Sequence, residues 1–250
     1  MNGDQFTVQT ICDLAEVEFI REMWKTWQKT RDSNIDFFSG IVRSRGNGCR
    51  PHVLVLQRHG KPEALLVGLR RRTKFSIRIS SRTLFQPEVT VLEFDRGALL
   101  GNASKQNCEA LVQAVIRSLA QGDADLALWE KLDLQSELYP CATQLPGVMW
   151  RDHCRKLSDH WFQKLPKGLD AFLSTLRPSQ RSKLRRKHKK FLNTFAGRIE
   201  VRSFQTISEL EPAIRDMDEI ARKSFKRHLG FGFFDNPQTR EQLRVEAAQQ

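Results

Sequence analysis

The densest chemical signal in the 250-residue chain is R-P-S-Q-R-S-K-L-R-R-K-H-K-K-F, from Arg177 to Phe191. It carries eight Lys/Arg up to Lys190, one His, and no acid. The formal net charge of the chain is +12, so this stretch supplies two-thirds of it. Placed on a helix, Leu184, Phe191, Leu192 and Phe195 share one narrow face with His188, and the cations fill the rest. That pattern serves a surface helix whose charges stand in water, a helix that sets arginines on nucleic-acid phosphates, or a helix that lies on a membrane surface. Phe191 and Phe195 are expected in a core, which counts against the membrane. Nothing beside the helix has helix-turn-helix character, zinc-finger spacing or an aromatic ribonucleoprotein signature, which counts against the nucleic acid.

Other chemistry-bearing residues form no recognisable constellation. The six histidines, His52, His59, His153, His160, His188 and His228, show no metal-ligand spacing, so no metal is expected. Gly230–Phe234 reads G-F-G-F-F; it follows a helix pattern and lacks the last glycine of a dinucleotide fingerprint. No nucleophile-elbow motif supports a serine hydrolase. Trp24 and Trp27 fall on an amphipathic helix and read as core. R-R-R-T-K, residues 70–74, reads as a solvated strand end.

Composition bounds the rest. Residues 1–150 hold 19 Lys/Arg against 17 Asp/Glu and residues 151–250 hold 22 against 12, so the second half is the one expected to meet an anion. The hydrophobic share of 40% is enough for a proper core, which excludes global disorder. Five cysteines without a C-x-x-C pair fit a reducing compartment better than a disulfide framework. Neither a signal peptide nor an apolar run long enough to span a bilayer is legible, and a cytoplasmic location is expected.

The elements that must position these residues follow from periodicity. Residues 13–28 predict a helix, and a polar stretch follows. H-V-L-V-L-Q and E-A-L-L-V-G-L-R flank R-H-G-K-P and predict a hairpin; T-K-F-S-I-R-I-S and V-T-V-L-E-F add β-rich runs. A helix is expected from an N-cap at Ser104 to Gly122, then a strand in A-D-L-A-L-W-E-K-L. L-Y-P-C-A-T-Q-L-P-G reads as a connection and C-R-K-L-S-D-H-W-F as a strand. After a short helix broken at Arg177-Pro178, Ser179 would cap the basic helix, about 179–195. R-I-E-V-R-S-F reads as a strand, Ser208 and Glu211 as the capping box of the next helix, and Asn236-Pro237 as the start of a last one. The fold class is α+β with a mostly antiparallel sheet and flanking helices, divided as 1–140, a connection 141–152, and 153–250.

The segment L-D-A-F-L-S-T-L-R-P-S-Q-R-S-K-L-R-R-K-H-K-K-F-L-N-T-F-A-G-R-I-E-V-R-S-F resembles the FemAB-like, CelD-type branch of the GNAT acyltransferase superfamily. The resemblance rests on a short helix, a serine-started helix with the arginine core Arg181, Arg185 and Arg186, and a strand; it continues through A-R-K-S-F-K-R-H-L-G-F-G-F-F-D-N-P-Q-T-R-E-Q-L-R-V-E-A-A-Q-Q, a helix, a glycine-aromatic turn and a following helix. It implies tandem GNAT-like units and acyl transfer from acyl-CoA, acetyl-CoA first, to an amine or hydroxyl of a small-molecule, saccharide or peptidoglycan-precursor acceptor, in polysaccharide or envelope biosynthesis. It further implies an acyl-CoA lying between two splayed strands, its pyrophosphate held by amides in the turn before a helix. In D-R-G-A-L-L-G-N-A-S, Arg96, Gly97, Gly101 and Asn102 occupy that place in the first unit without the family's tighter pattern. The cofactor strands of the second unit would come after Gln250, so a fragment is expected. Arg181, Arg185 and Arg186 are then expected to face an anionic ligand, a CoA phosphate or a phosphate-bearing acceptor. The competing expectation is a non-enzymatic nucleic-acid-binding module.

Overall fold

The computed structural model describes residues 6–30, 32–79, 82–153, 157–159, 165–204 and 206–223. The chain divides into two compact units, Met1–Arg151 with Thr206–Gln250, and Asp152–Gln205.

The first unit is built on a sheet of β1 (Phe6–Ile11), β2 (Cys49–Arg58), β3 (Lys61–Lys74), β6 (Glu88–Phe94) and β8 (Leu126–Trp129), in that spatial order; β7 (Leu99–Gly101) pairs with β3 further along its length. All neighbours are antiparallel except β6 and β8, which are parallel. A parallel pair needs a crossover, and α4 (Lys105–Ala120) is that crossover. β4 (Ile77–Ile79) and β5 (Arg82–Phe85) make a separate small hairpin. β2 and β3 turn through His59 and Gly60, with φ of 50° and 74°. Two positive φ values are what a type I′ hairpin turn requires.

Both faces of the sheet are covered. Val53, Val55 and Leu65 pack with Ile11 against Val17 of α1 (Leu14–Phe19), Trp24 of α2 (Arg21–Trp27), and Ile35, Phe38 and Val42 of α3 (Ile35–Arg45). On the other face Leu54, Leu56, Leu66, Leu92 and Phe94 meet Cys108, Leu111, Val112 and Val115 of α4, and Leu138 and Cys141 of α5 (Leu138–Gln144). Burial on two sides explains why the middle of β2 is one unbroken apolar run rather than an alternation. Ser104 caps α4 as expected, its Oγ accepting from the Asn107 N–H.

Several expectations are corrected. The single helix at 13–28 is two, parted at Ile20. β1 precedes it, and the stretch read as polar contains α3, capped by Asn34, whose side-chain Oδ1 accepts from the Asp36 and Phe37 amides. The connection at L-Y-P-C-A-T-Q is helix α5, because Leu138 and Cys141 are needed by the core. Of R-R-R-T-K, Arg70 donates to the Asp123 carbonyl and Arg71 pairs with Glu93, so neither charge is merely solvated.

In the second unit α6 (Leu169–Thr175) is followed by α7 (Pro178–Thr194). The N-cap of α7 is Arg177 rather than Ser179. Pro178 takes the first helical position, where its fixed φ suits the helix and its missing N–H costs nothing, and Gln180 Oε1 accepts from the Arg177 amide. Residues 198–204 form no strand: Val201 stands in solvent, and no strand among the described residues pairs with them. α8 (Leu210–Lys223) belongs to the first unit. Its capping box sits two residues earlier than expected, Glu209 accepting from the amide and hydroxyl of Thr206. Most of C-R-K-L-S-D-H-W-F, the G-F-G-F-F turn and the expected last helix lie outside the described residues.

Candidate functional site

Two places carry the residues singled out by sequence, one in each unit. In the first unit the site grows from an irregularity in the ladder of β3. β6 pairs with β3 up to Glu93 opposite Leu69, and β7 resumes with Leu99 opposite Leu66. Three more residues lie on the β6–β7 side than on the β3 side, so the strand bulges through Asp95, Arg96 and Gly97 before rejoining, with the Val67 N–H donating to the Ala98 carbonyl at 2.8 Å.

The bulge separates two neighbours of β6. β8 stays paired with β6 through Trp129 opposite Phe94, and the Glu130 N–H donates to the Phe94 carbonyl at 2.8 Å. Past that point the chain follows β3 alone, so β7 and the end of β8 part. The Phe94 and Trp129 rings, stacked with centroids 4.5 Å apart, mark the fork. Ala98, Leu99 and Leu132 pack on the core beside it. At the outer edge Lys131 Nζ reaches Asp95 Oδ1 at 3.2 Å, and Asp95 also accepts from the Arg96 amide. That hydrogen bond to Asp95 holds the Lys131 pKa above the ordinary lysine value. Phe94 closes a row across the sheet. Gly68 opposite it has no side chain, and a Cβ there would meet the Phe94 ring at 2.5 Å. Beyond Gly68 lies His52, its ring edge-on to Phe94 at 6.5 Å between centroids. His52 is buried, which pulls its pKa below the ordinary histidine value, and its Nε2 meets no partner among the described residues.

β7 ends at Gly101, where α4 begins within a few residues. Gly101 has φ +83°, and a Cβ on it would lie 2.5 Å from the Glu63 carbonyl oxygen and 3.1 Å from both the Ala64 Cα and the Trp27 ring. Its need for glycine is therefore set by the backbone of β3. A Cβ at Gly97 would lie 3.4 Å from Thr30 Oγ1. Asn102 is tied into the turn: its amide N–H donates to the Glu63 carbonyl at 2.8 Å and its side-chain oxygen accepts from the Ser104 amide at 3.2 Å. Asn107, fully buried, donates from Nδ2 to Glu63 Oε2 at 3.1 Å and to the Asn102 carbonyl at 3.0 Å. Glu63 pairs in turn with Arg58 at 3.1 Å, so the carboxylate near the helix start is neutralised. The amides of Asn102, Ser104 and Asn107 are thus engaged by the protein. Those of Lys105 and Gln106, in the first turn of α4, point out of the helix N-terminus. Arg96 and Gly97 lie in the bulge, and Gly101 and Asn102 at the other end of β7.

Sequence reading passed over Asp95, Lys131, Glu63 and Asn107. Each is a single polar residue at the end of an element, a position that no short motif marks.

In the second unit α7 carries Arg181, Arg185 and Arg186. Arg181 and Arg185 are one turn apart on the same flank, while Arg186 is turned by roughly 100° from Arg185. A shallow depression along the helix is lined by Arg186, Lys189, Lys190, Asn193 and Thr194. The apolar stripe is not covered: Leu184, Phe191, Leu192 and Phe195 are 42–50% exposed. Phe191 and Phe195 hold each other at 5.1 Å, and the Arg198 guanidinium lies 5.7 Å from the Phe195 ring centre.

Among the described residues no group of histidines, cysteines and carboxylates could hold a metal ion, and no helix is long and apolar enough to cross a membrane. No family model matches the chain, and no curated protein matches it. Among solved structures it is similar to glucosamine-6-phosphate N-acetyltransferase from Arabidopsis thaliana at 11% identity, over 64% of this chain and 100% of that one, with a TM-score of 0.34. It is also similar to a transcriptional regulator from Bacillus halodurans C-125 at 10% identity, over 63% of this chain and 100% of that one, with a TM-score of 0.35. Likeness of this degree assigns no activity to the chain.

Proposed function

We propose that the chain is an acyltransferase that moves an acyl group from acyl-CoA, acetyl-CoA first, to an amine or hydroxyl of a small saccharide or envelope precursor. The observation that carries this reading is the fork: a bulged strand that leaves its parallel neighbour at Phe94 and runs on to the N-terminus of a helix. A fork with apolar walls admits an extended thioester arm, and a helix start beside it offers amide donors to phosphates.

The residues fit such a ligand in part. Lys105 and Gln106 would hold phosphate oxygens through their amides, and the Lys105 ammonium is exposed at the same turn. Phe94, Trp129 and Leu99 would keep water from the acyl carbon. When bound, the thioester supplies an electrophilic carbon and a good leaving group. The acceptor nitrogen forms its bond to that carbon while the carbon–sulfur bond breaks; the sulfur leaves as the thiol after taking a proton, and the acceptor loses one. No described residue is assigned as the base. Opening the rim requires Lys131 to swing off Asp95, an exposed pair of small strength. Arg181, Arg185 and Arg186 are proposed to attract a phosphate-bearing ligand; Arg96, Gly97, Gly101 and Asn102 shape the turn.

The test is calorimetric titration of the full chain with acetyl-CoA and with desulfo-CoA. Binding that a Phe94→Asp change abolishes with the fold kept, as read by circular dichroism, while Lys187→Gln on α7 leaves it intact, supports the fork. No heat with either ligand, together with tight and steeply salt-dependent binding of a random oligonucleotide, would replace this reading with the nucleic-acid module.

A further inference from the structure

Helix α7 presents two features on one cylinder that solvent alone does not explain. Leu184, Phe191, Leu192 and Phe195 are half in water, although two phenylalanines and two leucines on one stripe ordinarily seek a core. The rest of the helix between Arg177 and Lys190 is cationic with no acid. The order around the cylinder is specific. With 100° per residue, Phe191, Leu184 and Phe195 form the centre of the stripe, with Leu192 at its edge. Arg181 and Arg185 border it on one side, and Lys187 on the other. Arg186 points away, and Lys183, Lys189 and Lys190 lie on the flanks between.

We infer that α7 lies flat on a lipid bilayer rich in anionic headgroups, its apolar stripe below the phosphates and its two cationic borders level with them. Charge complementarity selects the partner: eight cations without an acid exclude a basic surface. The stripe separates a bilayer from nucleic acid, since a phosphate backbone takes the cations and leaves Phe191 and Phe195 uncovered. The two borders suit a bilayer because long Lys and Arg side chains at the edge of a stripe reach the phosphate level while their stems stay apolar. Such a helix needs no length to span the membrane, and its attachment is reversible. This inference is independent of the fork in the first unit.

The test is flotation of the full chain with vesicles of phosphatidylcholine alone and with one-quarter phosphatidylglycerol, at near-physiological salt. The expected result is binding to the anionic vesicles and none to the neutral ones. Phe191→Ala with Phe195→Ala should weaken binding by roughly tenfold or more with every charge kept. Lys187→Gln, on a border, should weaken it by roughly fivefold, and Arg186→Gln, on the far side, by clearly less. Circular dichroism of each variant confirms that the fold is kept. Three results would each overturn the inference: no flotation with anionic vesicles, phenylalanine variants that float like the parent, or equal loss from border and far-side cations. A random oligonucleotide bound tightly and indifferently to Phe191 and Phe195 would assign the helix to nucleic acid instead.

Discussion

Replacing Gly101 by alanine separates the two roles that this glycine has been given, a cradle for a ligand and a close approach of backbone. The added Cβ would stand 2.5 Å from the Glu63 carbonyl oxygen, closer than real Cβ atoms come, and 3.1 Å from the Ala64 Cα, tighter than most, and both neighbours are backbone of β3. Positive φ adds strain of roughly 1–2 kcal/mol for any L side chain. Pushing β7 off β3 adds about 1–3 kcal/mol, the usual cost of overpacking. The Asn102 amide, which donates to the same Glu63 carbonyl, would move with it. Together these give a loss of about 2–5 kcal/mol, or a fall in Tm of roughly 4–20 °C for a unit of this size. Urea denaturation followed by tryptophan fluorescence reads it directly, since Trp27 is one of the groups the Cβ would strike. The loss should be the same with and without acetyl-CoA. A loss below about 0.5 kcal/mol would refute the packing account, and a normal stability with lost ligand binding would return Gly101 to the cradle.

His52 should make the protein acid-sensitive. Burial, and to a lesser degree Arg70, hold its pKa below the ordinary 6.5, against an opposing pull from Asp123. The unfolded chain therefore takes up the proton first; the stabilisation is complete above about pH 6.5 and is lost as pH falls towards the folded value. The urea midpoint of His52→Leu should change less between pH 7.5 and pH 5 than that of the parent. Cys108, raised to about 11 by burial, and Cys49, also raised by burial, should resist a short iodoacetamide pulse until the protein is unfolded, as read by mass spectrometry. Glu93→Ala removes the carboxylate that both Arg71 and Arg45 pair with, in a partly buried position, and should cost about 1–3 kcal/mol in urea unfolding. Glu93→Gln, which keeps the shape, should cost less.

What could be read in advance depended on whether a segment's partners were near in sequence. The hairpin of β2 and β3 was legible because its turn, His59-Gly60, carries its own geometry. Helix α4 was legible because Ser104 caps it locally and its apolar period runs through Cys108, Leu111, Val112 and Val115. Helix α3 was missed although Asn34 caps it, because Asp36, Ser39 and Gly40 dilute a stripe whose meaning comes from Val53 and Val55 on a strand that follows. β1 was missed because Phe6–Ile11 is short and mixed, and becomes a strand only by lining up with β2. The opposite error, a strand at residues 198–204, has the same cause. Alternation makes a strand possible, but a partner makes it real, and Val201 stands in solvent with no strand among the described residues beside it.

The candidate site follows the same rule at closer range. D-R-G-A-L-L-G-N-A-S could be seen as a turn before a helix. That it hides a three-residue bulge, with β7 rejoining β3 opposite Ala64–Leu66, depends on a ladder thirty residues upstream in the chain. Asp95 and Lys131 share the edge of the fork because β8 runs parallel to β6, and parallel pairing across a helix leaves no local trace. The basic helix is the contrary case. All of its chemistry was visible in one stretch, yet its meaning turned on a quantity no sequence states, the exposure of Phe191 and Phe195. A covered stripe would have made α7 an ordinary surface helix; a stripe half in water, bordered by cations on both sides, leaves an apolar face that still requires a partner.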